Sequence, residues 1–273
     1  MKSIEMVWKE MEKITRNAGK MLQNREESAK IHRKGDVDYV TEVDFHVQNV
    51  ICEQLSERFP SIQFMGEEKD NSGLDFDGIV WILDPVDGTA NLIHDTRMSA
   101  ISLGLVKNRE VLAGVIYQPY TDELFSAAKG KGAFLNGTQI HVSGVERLKG
   151  GLVAIGTSPY YHEYAEWVFE VSKNVFLSCQ DIRRSGSAAM DLAYIAAGRM
   201  EGLFERVLQP WDFAAGKILI EEAGGKMTDL YGGKMNTVEK GGVLASNGRV
   251  HKELQSLMDL NIYYRQPNSS DAP

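Results

Sequence analysis

WILDPVDGTANL, residues 81–92, places two carboxylates, Asp84 and Asp87, behind an apolar run, with Pro85 between them and Gly88-Thr89 directly after. The run itself, GIVWILD, is apolar without alternation, the pattern of a strand covered on both faces. Asp84 precedes a proline, which keeps it extended and makes it the last residue of the strand. Two acids at the end of a buried strand repel each other unless positive charge lies between them. DGT is suited to opening a helix, whose first N–H groups, from Gly88 and Thr89, point outward as an anion site that glycine lets a phosphate approach. One short segment thus offers carboxylates to a metal and amides to a phosphate. The structural alternative is that Asp87 N-caps the helix.

The chain of 273 residues permits one large domain or two packed halves with a substantial core. Its net charge of −8, from 30 basic and 38 acidic residues, disfavours nucleic acid or an anionic membrane as the main partner. An anionic substrate stays compatible, because bound divalent cations reverse the local sign. Cys52 and Cys179 lie far apart with no CxxC, so neither a disulfide framework nor a thiolate zinc site is indicated. The N-terminal stretch is amphipathic and lacks the apolar segment of a signal peptide, and no run reaches the length of a membrane span. A cytoplasmic enzyme is the expectation.

Working outward, Ile4, Val7, Met11 and Ile14 predict a first helix. DYVTEVD predicts a short strand and a second helix with Thr41 at its N-cap and Asp44 completing a capping box. IQFMGEE predicts a strand ending in Glu67 and Glu68. SAISLGLV and VLAGVIYQP flank KNRE as a hairpin, and Asn136-Gly137 marks another. Further on, strands are expected at GLVAIGTS, VFLSCQDIRR and MEGLFE, and helices at YHEYAEWVFEVSKN, SAAMDLAYIAAG and DFAAGKILIEEAGG. The change from meander to alternation divides the chain into an α+β half (1–147), an α/β half (148–265) and a polar tail (266–273).

GEE, WILDPVDGTANL and WDFAAG, in this order and spacing, resemble the inositol monophosphatase family. DYVTEVD upstream and RRSGSAAMDLAYIAAGRMEGLFE and EAGG downstream extend the resemblance from about residue 36 to about residue 248. It implies an α/β fold, a layered αβαβα sandwich of the inositol monophosphatase and fructose-1,6-bisphosphatase type, with the site where the halves meet. It implies roughly two to three Mg²⁺ per site. Glu67, Asp84 and the Val86 carbonyl would hold the first. Asp84, Asp87 and Asp212 would hold the second, and a weaker ion would sit near Glu67. A metal-activated water, oriented by Glu67 and Thr89 with Asp44 behind Thr89, would attack phosphorus directly. The resemblance further implies lithium sensitivity and a homodimer.

The same comparison assigns the substrate contacts. Gly88 and Thr89 would hold phosphate oxygens, Asp87 and Asp212 would face hydroxyls near the scissile ester, and Gly186, Ser187 and Ala188 would line the pocket. Glu205 would bind a sugar or cyclitol hydroxyl; by itself it reads as a strand-end surface acid. Arg183 and Arg184 read as a solvated basic spot, or one of them meets a second phosphate.

The implied function is a Mg²⁺-dependent phosphomonoesterase, with inositol 1-phosphate as the leading substrate. The alternatives within the family are fructose 1,6-bisphosphate and the 2′-phosphate of NADP(H); a catalytically silent metal- or ligand-binding module is the alternative outside enzymes. An aspartyl-phosphate mechanism of the haloacid-dehalogenase type needs D-x-D, whereas this chain has D-x-x-D, which on a regular strand turns the second acid elsewhere. The six histidines form no HExxH and the serines no GxSxG elbow, which argues against zinc and serine hydrolases.

Overall fold

The structure is a computed structural model that describes residues 3–35 and 39–260, so the tail expected at 266–273 lies outside the described residues. Helix α1 (Ile4–Ala18) buries Val7, Trp8, Met11 and Ile14 along one stripe. A short α2 (Arg25–Ser28) leads to a hairpin of β1 (Ile31–Arg33) and β2 (Tyr39–Thr41). Helix α3 (Glu42–Arg58) then starts on the Thr41–Asp44 capping box.

A seven-stranded sheet follows in chain order: β3 (Gln63–Gly66), β4 (Ile79–Asp87), β5 (Ala100–Lys107), β6 (Glu110–Gln118), β7 (Glu123–Ala128), β8 (Gly132–Leu135) and β9 (Thr138–Ile140). β3 runs parallel to β4, and every later pair is antiparallel. Helix α4 (Thr89–Ile93) leaves the end of β4. Asn108-Arg109 and Asn136-Gly137 form the expected tight turns, all four residues with positive φ.

In the second half, β10 (Leu152–Ile155), α5 (Ala165–Ser178), β11 (Asp181–Arg183), α6 (Ala188–Ala196), β12 (Gly202–Leu208), α7 (Pro210–Glu222), β13 (Lys226–Thr228), β14 (Gly241–Ser246) and α8 (His251–Ser256) succeed one another. Their strands form one sheet in the order β11-β10-β12-β14-β13. Here VFLSCQDIRR departs from the expected strand: Val175–Ser178 form the last turn of α5, and only Asp181–Arg183 are extended. Val168, Val171 and Val175 bury at helical spacing, so the period of the apolar face overrides the β-propensity of the run.

Alternation along the strands builds the layers. Trp81 and Leu83 of β4 pack with α1 and α3, whereas Val80 and Ile82 pack with α6 and α7 on the other face. The far side of α6 and α7 meets Ala154, Leu203 and Ala245 of the second sheet, whose outer face carries α5 and α8. The order is therefore αβαβα. α7 lies very close to the first sheet, since a Cβ at Gly114 would stand 2.7 Å from the Ala215 carbonyl oxygen. The small residues of DFAAG make that approach possible.

β4 differs from its expected end in one respect that governs the site. It continues past Asp84 to Asp87, pairing Asp84 with Ser102 and Asp87 with Ala100. Pro85 and Val86 thus oppose Ile101 alone, which is a β-bulge. On a regular strand, residues three apart face opposite sides. The extra residue restores the phase and turns both carboxylates to one side.

Candidate active site

The bulge opens into a cavity of about 690 Å³ walled by the β4–α4 turn, the starts of α6 and α7, and β12. Asp84 is 2% and Asp87 8% exposed. Asp212 enters from the first turn of α7, where Pro210 sets the helix start and Gln209 N–H donates to its Oδ2 at 2.7 Å. Ser102 Oγ donates to the Trp211 carbonyl at 2.9 Å and ties that start to β5. Carboxylate oxygens of Asp84, Asp87 and Asp212 all lie within 4.8 Å of one another. Glu67, at the end of β3, is within hydrogen-bonding reach of Asp84.

Such crowding has electrostatic consequences. Burial first, then Glu67, Asp87 and Asp212, pushes the Asp84 carboxyl well above the carboxylate range. Burial with Asp87 and Glu67 does the same to Asp212. Glu67 is pushed up to about 7 by burial, against the Lys34 ammonium that pulls it down. Asp87 is pushed only to about 6, because Ser187 and the amides of Ala188 and Ala189 offset its burial. An all-oxygen donor set whose acids repel one another fits a hard divalent cation.

Asp87 does not cap the helix that follows it. The N-cap position of α4 is Gly88, at φ 89°, and no side chain caps it. Asp87 Oδ2 instead accepts from Ala189 N–H at 2.8 Å and from Ser187 Oγ, so it sits on the N-terminus of α6 in the other half of the chain. Asn91 adds a second tie, its Nδ2 donating to the carbonyls of Met98 at 2.8 Å and Ser185 at 2.9 Å. Behind the turn, fully buried Asp44 accepts from Thr41 N–H at 2.8 Å and Thr89 Oγ1 at 3.1 Å. It thus serves the capping box and Thr89 together.

Glu205, on β12, is 7% exposed and not the surface acid that its position suggests. Ser158 N–H donates to its Oε1 at 2.8 Å, and burial pushes its carboxyl up to about 7. The carboxyl lies against Gly156, where a Cβ would stand 2.1 Å from Glu205 Cδ. Gly156→Ala is therefore expected to displace Glu205 and to cost about 1–3 kcal/mol of stability. A lower urea midpoint at unchanged m would record the cost, and an unchanged Ser158–Glu205 contact in a crystal structure of the variant would contradict the packing.

The expected residues Glu67, Asp84, Val86, Asp87, Gly88, Thr89, Arg184, Gly186, Ser187, Ala188, Glu205 and Asp212 all line the cavity. Arg183 does not: it pairs with Asp181 and donates to the Ile182 carbonyl at 2.8 Å. Lys34, Asn91, Ser158 and Asp191 also line it and escape the sequence reading. Asp191 had a signal, a lone acid within the small apolar residues of α6. Its carboxyl is pushed up to about 8 by burial, and Oδ1 has no hydrogen-bond partner among the described residues. Lys34 had no signal beyond its charge.

Acids this close suit divalent cations, and helix starts that face the same space suit an anion, a combination in one cavity that fits a metal-dependent phosphatase. Over residues 3–260 the chain matches the family model described as the inositol monophosphatase family. It is 38% identical to Nus factor SuhB of Escherichia coli (strain K12) over 251 residues, covering 90% of this chain and 93% of that protein. To inositol-1-monophosphatase of Rhizobium meliloti (strain 1021) it is 35% identical over 261 residues, 95% of each chain. The crystal structure of the extragenic suppressor protein suhB from Bartonella henselae superposes with a TM-score of 0.86 at 34% identity, covering 93% of this chain and 98% of that one. The protein belongs to the inositol monophosphatase family, a family of metal-dependent phosphoric monoester hydrolases. Among the described residues, no helix is long and apolar enough to cross a membrane.

Proposed function

We propose that the protein is a Mg²⁺-dependent phosphomonoesterase acting on a polyol phosphate, with inositol 1-phosphate as its leading substrate. The bulge that gathers Asp84 and Asp87 beside Asp212 carries this proposal. Glu67, Asp84, the Val86 carbonyl, Asp87 and Asp212 would hold the ions. Bound Mg²⁺ supplies Lewis-acid stabilisation of charge on the phosphoryl and leaving oxygens and lowers the pKa of water. The complete acid set supports turnover over a silent binding module.

The chain's own groups do the rest. The first amides of α4 have no intrahelical acceptor and would bind phosphate oxygens. Thr89 Oγ1 has the Asp44 carboxylate and the Val86 carbonyl as acceptors, each at 3.1 Å, which leaves its lone pairs to orient an attacking water. Glu67 would orient that water together with Thr89, and Asp212 would position the water that returns a proton to the leaving oxygen. Asp84 Oδ1 already accepts from Val86 N–H at 2.9 Å, an arrangement that suits a fixed ligand better than a covalent nucleophile.

Substrate choice falls to the opposite wall. Arg184 is the arginine of the pair that faces the cavity, and its Nε and Nη2 are spent on Thr157 Oγ1 at 3.3 and 3.1 Å. Asp87, Asp191 and Glu205 already lie in its field. These carboxyls can donate to and accept from hydroxyls and share the Arg184 cation, which supports a polyol monophosphate over fructose 1,6-bisphosphate or NADP. Lithium inhibition and a homodimer complete the proposal.

Phosphate release with Mg²⁺ from inositol 1-phosphate, fructose 1,6-bisphosphate and NADP is the test. Inositol 1-phosphate is expected to lead, with Arg184→Ala lowering kcat/KM for all three by a similar factor. Selective loss of a two-phosphate substrate in Arg184→Ala would make that arginine a phosphate reader and overturn the polyol assignment.

A further inference from the structure

Asp191 is an acid of the cavity wall to which neither the resemblance nor the metal site gives a part. It is the fourth residue of α6, 4% exposed, and lines the cavity beside Arg184 and Glu205. The helix start that carries it is fixed: Ser187 Oγ accepts from Met190 N–H at 3.3 Å, and Asp191 N–H donates to the Ser187 carbonyl at 3.1 Å. The neighbouring groups have partners. Glu205 Oε1 accepts from Ser158 N–H at 2.8 Å, and Asp87 Oδ2 accepts from Ala189 N–H at 2.8 Å. Asp191 Oδ1, by contrast, is buried with no hydrogen-bond partner among the described residues, and Ser185 is the side chain within reach of the rest of the carboxyl.

A buried polar atom left unpaired destabilises a fold, and at a cavity wall it points to a ligand that supplies the partner. The terminal torsion of an aspartate is soft, so a small turn of the carboxyl presents either oxygen to the cavity. Burial pushes this carboxyl up to about 8; holding its proton at neutral pH, it both donates and accepts, as a hydroxyl partner requires. We propose that Asp191 is a specificity residue whose carboxyl hydrogen-bonds a ring hydroxyl of the bound polyol phosphate, next to the hydroxyl assigned to Glu205. The proposal rests on the polyol reading given above and narrows it to rings with more than one free hydroxyl. The competing role is structural, Asp191 holding the turn before α6 through Ser185, which would act on every substrate alike.

Two substrates on the full chain with Mg²⁺ separate these roles: inositol 1-phosphate, and cyclohexyl phosphate, which has a six-carbon ring without hydroxyls. Asp191→Ala is expected to lower kcat/KM for inositol 1-phosphate about tenfold, chiefly through KM, and to leave cyclohexyl phosphate within about threefold of the parent. Asp191→Asn keeps a donor and an acceptor at the same place and is expected to stay within about threefold of the parent on both. A smaller folded fraction lowers both rates alike and does not imitate this selectivity. Equal losses on the two substrates, or no loss on inositol 1-phosphate, would overturn the hydroxyl contact while leaving the polyol reading intact. A parent that does not prefer inositol 1-phosphate to cyclohexyl phosphate would overturn the polyol reading, and the Asp191 contact with it.

Discussion

Asp84→Asn is expected to abolish Mg²⁺ uptake and phosphate release together while leaving the protein folded. Asp84 is the member of the cluster within reach of both Glu67 and the Asp87–Asp212 pair, so its loss removes donors from both proposed ion positions. Asparagine keeps the shape of the side chain, and its carbonyl oxygen still accepts from Val86 N–H, so the bulge survives. It also removes one of several mutually repelling acids, so the metal-free variant is expected to melt no lower than the parent. A fall in kcat of roughly three orders of magnitude is expected, the size seen when a principal electrostatic stabiliser is lost. Calorimetric titration reads the metal, phosphate release reads turnover, and a melt in EDTA reads the fold. Near-normal turnover at ordinary Mg²⁺ would show that Asp84 is no essential ligand.

The second large effect is an inverted pH dependence of stability in the absence of metal. Glu67 and Glu205 are pushed up to about 7, Asp87 to about 6 and Asp191 to about 8, against ordinary values of 4.5 for Glu and 3.8 for Asp. Between those limits the native state keeps protons that the unfolded chain has released. Stability then falls as pH rises, by about 1.4 kcal/mol per pH unit for each proton retained.

His251 acts in the opposite direction. Buried between Thr228 Oγ1 and Ser246 Oγ, at 3.0 and 2.9 Å, it is pushed down to about 4 from 6.5. Its stabilisation is complete above pH 6.5 and is lost as pH falls toward 4. The diagnostic window therefore lies between pH 6.5, where His251 has ceased to contribute, and about 8, the Asp191 limit. In EDTA the melting temperature is expected to drop across this window. Saturating Mg²⁺ favours the ionised acids and should flatten the profile, so the gap between the two conditions widens with pH. A melting temperature in EDTA that rises from pH 6.5 to 8 would mean that these carboxyls are not held protonated by burial.

Much of the architecture was legible because its determinants are local. A capping box needs only Thr41 and Asp44, a helix start needs Pro210 ahead of Asp212, and a tight hairpin needs Asn136-Gly137. Where two local rules competed, as in VFLS, the longer helical period prevailed and the expected strand shortened to Asp181–Arg183. The acids of the cluster were likewise legible as a set, since their spacing resembles that of a known family. Their partners were not.

The sequence by itself determined which segments become helices and strands and which carboxylates are available, because both follow from residues a few positions apart. Only the tertiary structure decided how those carboxylates act. D-x-x-D points two ways on a regular strand, and the pairing of β4 with β5 inserts the bulge that turns both acids inward. Asp87 reads as a local cap, yet its partners lie 100 and 102 residues away at the start of α6. Arg183 and Arg184 are equivalent in composition, but neighbours on an extended chain face opposite sides, and only the placement of β11 beside β10 selects the one that meets the cavity. Lys34 and Asp191 enter the site the same way, through contacts between distant segments that no local periodicity encodes.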